Sequence, residues 1–228
     1  FEEARPLGKK RLELLTDTYN RQGEADYEDG QYLTAEEYFL KARDQYEDAL
    51  ERRILEPESM FGRIYRNLGN LYYYIAAEFD SAFAMFSTAQ ENGYKSPEMH
   101  YKKGYIHYNR EDFRDALAEF HLAADLFSLN ENLLFSTGNA FFMRSDFFAA
   151  QGYYTHLLDR LEQQRREMSV LLPDEREKDR ALIDRLIRVH NNLGVTLQRL
   201  SLATGDREKF SRALVHFTDS MEMFDLLG

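Results

Sequence analysis

Residues 112–123, Asp-Phe-Arg-Asp-Ala-Leu-Ala-Glu-Phe-His-Leu-Ala, contain the pattern that decides the fold of this chain. Phe113 is followed after three residues by Ala116, after four more by Phe120 and after three more by Ala123. Steps of three and four residues place side chains on one face of an α-helix. The stretch therefore predicts a helix with one face of aromatic and small residues.

The same pattern occurs five times along the chain. The five copies are Tyr32-Ala35-Phe39-Ala42, Phe79-Ala82-Phe86-Ala89, Phe113-Ala116-Phe120-Ala123, Phe147-Ala150-Tyr154-Leu157 and Phe210-Ala213-Phe217-Ser220. A glycine lies upstream of each copy, in a second helical stretch: Gly23, Gly69, Gly104, Gly138 and Gly194. Glycine inside a helix costs about 1 kcal/mol relative to alanine. Its recurrence predicts that the glycine lets the alanine of a partner helix lie against the backbone.

The two patterns together predict about ten helices in five antiparallel pairs. The expected pairs are 9–29 with 33–55, 57–76 with 80–92, 97–109 with 112–128, 130–143 with 146–171, and 174–203 with 206–226. Residues that favour helix starts agree with this division. They are a capping box at Thr34–Glu37, Pro97 in a first turn, and expected N-caps at Asp80, Asn130, Asp146, Asp174 and Asp206.

Several stretches resemble the tetratricopeptide repeat (TPR). They are Leu68-Gly69-x-x-Tyr72, Gly30-x-Tyr32-x-x-Ala35-x-x-x-Phe39-x-x-Ala42 and Asp112-Phe113-x-x-Ala116-x-x-x-Phe120-x-x-Ala123. The resemblance implies an all-α, right-handed α-solenoid of antiparallel helix pairs, with residues 1–228 as a single domain. The chain departs from the family in having no tryptophan and in two stretched linkages, so some helices are expected to be extended.

The stretch 146–203 is the largest departure from a regular repeat. Apolar residues on its two halves predict a long hairpin that turns at Pro173-Asp174. They are Leu157, Leu158, Leu161, Met168, Leu171 and Leu172 on one half, and Leu182, Ile183, Leu186 and Ile187 on the other. Two interpretations remain open, a hairpin that packs only on itself and an arm that projects to dock a partner or an oligomer.

Composition excludes several classes of function. The 228 residues carry a net charge of −11 with basic and acidic residues interspersed, which argues against nucleic acid and favours a basic partner. No cysteine is present, so thiolate metal sites and cysteine catalysis are excluded, while a cytoplasmic or a bacterial periplasmic or envelope location stays open. No apolar run approaches the length of a membrane span, so we expect no membrane insertion.

No motif for catalysis or cofactor binding is found in the sequence. The six histidines are spread over several helices, and His100 and His107 have no third ligand beside them. We therefore expect a protein that is not an enzyme and that has no cofactor and no metal site.

The inner face of such an array is formed by the first helix of each pair and is used for binding. Residues on these helices that point away from the glycine face are the candidate groove residues. They are Arg66, Asn70, Tyr73, Tyr101, Tyr105, Tyr108, Asn139, Phe142 and Asn191. Asparagine can donate and accept bonds to a peptide backbone, and tyrosine offers rigid area with a polar tip. Alternatively, several of these aromatic residues serve packing within the repeats.

The resemblance and the groove residues predict a scaffold or adaptor that binds another protein or peptide in its groove. One alternative is a structural subunit of an oligomer or of a large envelope or motility assembly, and another is a carrier of a small ligand. The last helix is apolar near the end of the chain, at Met221, Met223, Phe224, Leu226 and Leu227. Because that helix lacks a polar outer face and the chain does not begin with Met, we expect a fragment with further repeats or a partner surface beyond Gly228.

Overall fold

The computed structural model describes residues 4–126, 130–168 and 176–227. These residues form ten α-helices and contain no β-strand, which confirms the all-α prediction. The helices are α1 (Ala4–Glu28), α2 (Tyr32–Glu51), α3 (Ser59–Leu71), α4 (Phe79–Glu91), α5 (Pro97–Asn109), α6 (Phe113–Leu122), α7 (Glu131–Met143), α8 (Phe147–Met168), α9 (Arg176–Thr204) and α10 (Arg207–Asp225). A π-helical turn, Tyr72–Ala76, continues α3, and a 3-10 turn, Ala124–Leu126, follows α6.

Two helical segments end at a residue with a left-handed backbone; α2 ends earlier than the sequence predicts, whereas α3 with its π-helical turn ends at Ala76, as predicted. Helix α2 ends at Glu51 instead of residue 55 because Arg53 has a φ of +55°, in the left-handed region that cannot continue a right-handed helix. In the same way, Ala77 at φ +54° ends the π-helical turn after α3. Both are non-glycine residues, so the sequence carried no glycine signal for these stops.

Helix starts follow the predicted N-caps in three places and depart from them in two. The side chains of Asn130, Asp146 and Asp206 each accept a bond from a backbone N–H of the following turn, which confirms them as caps. The predictions at Thr34 and Asp80 were wrong, because α2 and α4 begin earlier and both residues lie within the first turn. The predicted cap at Asp174 and the turn at Pro173 lie outside the described residues.

The chain divides into two compact units, Phe1–Ile106 and His107–Gly228. In unit 1 the pairs α1–α2 and α3–α4 pack together, and α2 also contacts α3. In unit 2 the pairs α7–α8 and α9–α10 pack together, with contacts between α6 and α7 and between α8 and α9. Each unit has its own cluster of buried apolar side chains. That all five predicted pairs form one domain stays a prediction.

The repeated aromatic and alanine pattern lies in these cores. Its alanines, Ala35, Ala82, Ala116, Ala150 and Ala213, are all at most 1% exposed. The aromatic residue four positions later is buried at Phe39, Phe86, Phe120 and Tyr154 and partly buried at Phe217. The helix face predicted from residues 112–123 is therefore the face that each second helix buries.

The repeat glycines lie inside helices, as predicted, but they admit a different group from the one expected. A Cβ atom on Gly69 would lie 2.5 Å from the ring of Phe86, and one on Gly138 would lie 2.7 Å from the ring of Tyr154. Gly23 and Gly194 are related in the same way to Phe39 and Phe217. At these four glycines the missing side chain thus makes room for an aromatic ring, and at Gly23 the backbone oxygen of Ala35 is also close, 3.1 Å from the Cβ position.

The long hairpin formed by α8 and α9 buries its apolar stripe inside unit 2. Leu161, Leu182 and Leu186 are fully buried in the cluster that also contains Leu134 and Ala150. These leucines are core residues, which supports packing within the chain over a projecting arm. Leu171 and Leu172, also predicted for the stripe, lie outside the described residues.

A carboxylate at the start of α7 holds the two long helices. Glu131 accepts a short hydrogen bond from Arg185 of α9, and it lies 3.8 Å from Arg160 of α8. One acidic side chain therefore pairs with an arginine on each of the two neighbouring helices. Its carboxylate ties three helices of unit 2 together.

Candidate functional site

The predicted groove residues fall into two groups, one in each unit. Arg66, Asn70, Tyr73, Tyr101 and Tyr105 lie in unit 1. Tyr108, Asn139, Phe142 and Asn191 lie in unit 2. Each group has a cavity beside it, and the two cavities are described separately.

The cavity of unit 1 is formed on α1, α2 and α3 and has a volume of about 430 Å³. Its lining residues are Glu24, Tyr27, Glu28, Phe39, Arg66, Asn67 and Asn70. The guanidinium of Arg66 lies 3.9 Å from the carboxylate of Glu24 and 5.7 Å from the ring centre of Tyr94. Its Nε is buried and has no hydrogen-bond partner among the described residues. The cavity therefore combines charged and amide side chains with an incompletely bonded arginine.

Asn70 is held in one orientation by a buried lysine. Lys102 of α5 donates a 2.6 Å hydrogen bond from Nζ to Oδ1 of Asn70, and its ammonium lies 4.8 Å from the ring centre of Tyr74. Because lysine can only donate, the oxygen of the Asn70 amide must face it. Within the described part of the chain the Asn70 Nδ2 group donates no hydrogen bond, so it is available to an acceptor that enters the cavity.

Lys102 is 8% exposed, which is unusual for a lysine. Burial lowers the pKa of its ammonium to about 8, and the nearby charge of Arg66 acts in the same direction, while Glu98 opposes both. Its burial could not be predicted from the sequence, because it depends on Asn70 and Tyr74, which lie about 30 residues earlier in the chain. Its role here is to position the amide of Asn70.

Three predicted tyrosines lie together beside this amide. The ring centre of Tyr73 is 6.4 Å from that of Tyr105, which is 6.5 Å from that of Tyr101. Burial raises the pKa of Tyr73, and the neighbouring tyrosines Tyr101 and Tyr74 raise it further, so its phenol keeps its proton at neutral pH. The structure therefore brings the five predicted residues of unit 1 onto connected parts of α3, the π-helical turn and α5.

The cavity of unit 2 has a volume of about 240 Å³. Its lining residues are Tyr108, Asn139, Phe142, Met143, Tyr154, Asn192 and Val195. Oδ1 of Asn139 accepts one hydrogen bond from the Tyr154 hydroxyl at 2.6 Å and another from Asn192 Nδ2 at 2.9 Å. As at Asn70, the carbonyl oxygen is occupied and the Nδ2 group donates to no described residue.

The predicted groove residue Asn191 does not line this cavity, but its neighbour does. Asn191 is exposed, while its neighbour Asn192 lines the cavity and bonds to Asn139. Successive residues of a helix point about 100° apart, so the two amides face different surroundings. A signal was present in the sequence, because Asn67 and Asn192 both stand two positions before a repeat glycine.

A polar ladder of three rungs joins α1 to α3, α3 to α5 and α7 to α9. In each rung, the residue two positions before a repeat glycine donates to the residue directly after the preceding repeat glycine. The three rungs are Asn67 to Glu24 at 2.8 Å, Lys102 to Asn70 at 2.6 Å, and Asn192 to Asn139 at 2.9 Å. The ladder fixes the orientation of the two asparagines that line the cavities.

Some of the predicted aromatic residues also pack within their own repeat. Tyr73 meets Phe79, Tyr108 meets Phe113, and Phe142 meets Phe147. In these pairs the ring centres are 5.3–5.5 Å apart and the ring planes meet at 61–64°. Such edge-to-face contacts stabilise the corner between the two helices of a pair. These three residues therefore pack within their repeats, as the alternative interpretation of the groove aromatics expects. Each is only partly buried, so part of its surface stays exposed.

Comparison with solved structures identifies the fold. The chain is similar to MamA AMB-1, with 15% identity, a TM-score of 0.62 and coverage of 93% of both chains. It is similar to YrrB, described as a TPR protein with an unusual peptide-binding site, with 15% identity, a TM-score of 0.62 and coverage of 90% of this chain and 84% of that one. A MamA fragment from Desulfovibrio magneticus RS-1 matches with 13% identity, a TM-score of 0.61 and coverage of 92% and 95%.

No protein-family model matches the chain, and no curated protein matches its sequence. The fold is nevertheless that of the TPR proteins, an α-solenoid of helical hairpins, as the repeated motifs predicted. Among the described helices, none is sufficiently long and apolar to cross a lipid bilayer.

Proposed function

We propose that this chain is a protein-interaction scaffold that binds an extended segment of another polypeptide and performs no chemistry of its own. The observation that carries the proposal is the common state of Asn70 and Asn139. Each lines a cavity, each has its carbonyl oxygen occupied by a donor of the chain, and each has an amide NH₂ group that bonds to no described residue. A fixed donor of this kind suits the carbonyl oxygen of a peptide backbone.

The surroundings of each amide favour a polypeptide over other ligands. Aromatic side chains that line the same cavities, such as Tyr27 in unit 1 and Phe142 in unit 2, offer rigid apolar surface for the side chains of a bound segment. The net charge of −11 favours a segment with basic side chains. YrrB, which shares the fold, is described as having a peptide-binding site, and this supports the same use of the fold here.

The proposal is tested with peptides selected from a random-peptide display library against the full chain. Replacing Asn70 or Asn139 with alanine removes a donor, which we expect to cost about 1–2 kcal/mol of binding free energy, or roughly tenfold in affinity. The matched control is Asn191→Ala, because Asn191 is an exposed asparagine outside the cavity. Fluorescence polarisation measures the dissociation constant of each selected peptide for each variant.

Two results would contradict the proposal. One is that neither Asn70→Ala nor Asn139→Ala changes the affinity of any selected peptide. The other is that Asn191→Ala weakens binding as much as the cavity variants do. Thermal unfolding of each variant, followed by circular dichroism, separates a loss of binding from a loss of folding.

The small-ligand carrier gains no support from the cavities. Small-molecule pockets are lined mainly by apolar side chains. The cavity of unit 1, the larger of the two described above, is lined by two aromatic residues together with five charged or amide residues, Glu24, Glu28, Arg66, Asn67 and Asn70. Its lining suits a polar chain with many hydrogen-bonding groups.

A second candidate function is self-association through the last helix. Phe210, Leu214, Met221 and Phe224 of α10 are each 44–70% exposed, and their spacing of four, seven and three residues places them on one side of the helix. Apolar surface of this kind marks an interaction site when it is contiguous. A second copy of the chain would bury it, as the structural-subunit alternative expects.

Sedimentation equilibrium over a range of concentrations tests this candidate. We expect wild-type protein to associate, and the double variant Met221→Lys with Phe224→Lys to associate at least about tenfold more weakly, because each lysine places a charge in the contact. The control is Leu202→Lys on α9, a residue that is equally exposed and lies on another helix. A wild-type protein that remains monomeric at all concentrations would exclude self-association through α10.

A further inference from the structure

Two histidines and an aspartate meet between α9 and α10. The Nδ1 atoms of His190 and His216 are 3.0 Å apart, and Asp219 Oδ2 lies 3.6 Å from Nδ1 of His190. One potential ligand atom from each residue lies within 4.8 Å of the other two. No metal site was expected from the sequence, because His190 lies 26 positions before His216 and the two histidines come together only when the two helices pack.

We propose that His190, His216 and Asp219 bind a divalent transition-metal ion such as Zn²⁺. In a tetrahedral site with Zn–N bonds of 2.0–2.1 Å, two ligand atoms are about 3.3 Å apart. The distances of 3.0 and 3.6 Å lie on either side of this value. Two imidazoles with one carboxylate suit zinc and its neighbours in the transition series better than Mg²⁺ or Ca²⁺, which prefer oxygen ligands alone.

The other nitrogen of His190 supports this assignment independently. His190 is 4% exposed, and its Nε2 atom is buried with no hydrogen-bond partner among the described residues. It faces Glu162 of α8, whose Oε1 atom is 4.0 Å away. A histidine that binds a metal through Nδ1 carries its proton on Nε2 and commonly donates it to a carboxylate. Glu162 is placed to be that carboxylate and would act as a positioning residue.

A metal ion at this position would connect the last two helices. His190 belongs to α9, and His216 and Asp219 belong to α10. An ion that binds the folded state stabilises it in proportion to the logarithm of its concentration over its dissociation constant. The site is independent of the two cavities, so it concerns the stability of unit 2 and not the binding of a polypeptide segment.

Isothermal titration of the full chain with ZnCl₂ and with CoCl₂ tests the proposal. We expect one equivalent of metal to bind, no detectable binding at this site in His216→Gln, and an affinity at least about tenfold lower in Asp219→Asn. His156→Gln is the matched control, because His156 is an exposed histidine of α8 outside the cluster, and it should leave binding unchanged. His216 and Asp219 are only partly buried, so these variants are expected to fold.

A second measurement identifies the atoms that bind. Long-range ¹H–¹⁵N spectra of the imidazoles should show that Zn²⁺ shifts the Nδ1 signals of His190 and His216 and leaves that of His156 in place. Three results would overturn the proposal. They are the absence of metal binding to the wild-type chain, equal binding by folded His216→Gln, and a shift of His156 in place of the two clustered histidines.

Discussion

Replacing Leu186 with alanine is expected to lower the free energy of unfolding of unit 2 by about 2–5 kcal/mol. Leu186 lies on α9, is 0% exposed and packs in the cluster that holds α7, α8 and α9 together. The truncation removes buried apolar surface and leaves a cavity that the surrounding helices can fill only in part. Urea unfolding followed by circular dichroism measures the change.

Leu202→Ala is the matched control for this prediction. Leu202 lies on the same helix and is 73% exposed, so its truncation should change the free energy of unfolding by less than about 0.5 kcal/mol. Equal effects at the two positions would show that α9 does not bury the face described here. A charged residue at Leu161 or Leu186 would place an unpaired charge in this core and would therefore destabilise the fold.

Gly69→Ala is expected to lower the free energy of unfolding of unit 1 by about 1–3 kcal/mol. On helix propensity alone the substitution would stabilise α3 by about 1 kcal/mol. The new Cβ atom, however, would lie 2.5 Å from the ring of Phe86, which is fully buried and has little room to move. Steric overlap should therefore outweigh propensity, and chemical denaturation can detect the net loss.

Two further variants separate the steric effect from other causes. Combined with Phe86→Leu, the Gly69→Ala change should cost less than it does in the wild-type background, giving a favourable coupling energy of about 1 kcal/mol in a double-mutant cycle. Gly152→Ala is the control, because Gly152 lies in α8 with no atom near its missing Cβ, and it should stabilise the chain by up to about 1 kcal/mol. If Gly69→Ala also stabilises the chain, the glycine is not there to accommodate the ring.

The fold was predictable from the sequence because a short pattern recurs. Helix periodicity fixes which side chains share a face, and five copies of one face at similar spacing leave few arrangements of the helices. The residues of the pattern, such as Ala116 and Phe120, are fully buried as expected. The end of α2 was less predictable, because Arg53 carries no sequence signal for its left-handed conformation.

The sequence predicted some residues of the candidate site but not the contacts that position them. Asn70 and Asn139 were found because they directly follow a repeat glycine, and the structure places both beside cavities. Asn191 was chosen from its position relative to Gly194, and helix register alone does not show that the adjacent Asn192 bonds to Asn139. The burial of Lys102 was not predicted, because it depends on contacts with residues far away in the sequence, such as Asn70 and Tyr74, which no local pattern records.

The polar ladder also gives its junctions a direction. Every rung runs from a donor on the later hairpin to an acceptor on the earlier one. At two of the three rungs the roles cannot be exchanged, because the ammonium of Lys102 can only donate and the carboxylate of Glu24 can only accept, whereas Asn192 and Asn139 each carry both a donor and an acceptor. A designer who wished to lengthen the array would therefore have to copy these side chains along with the helices that carry them.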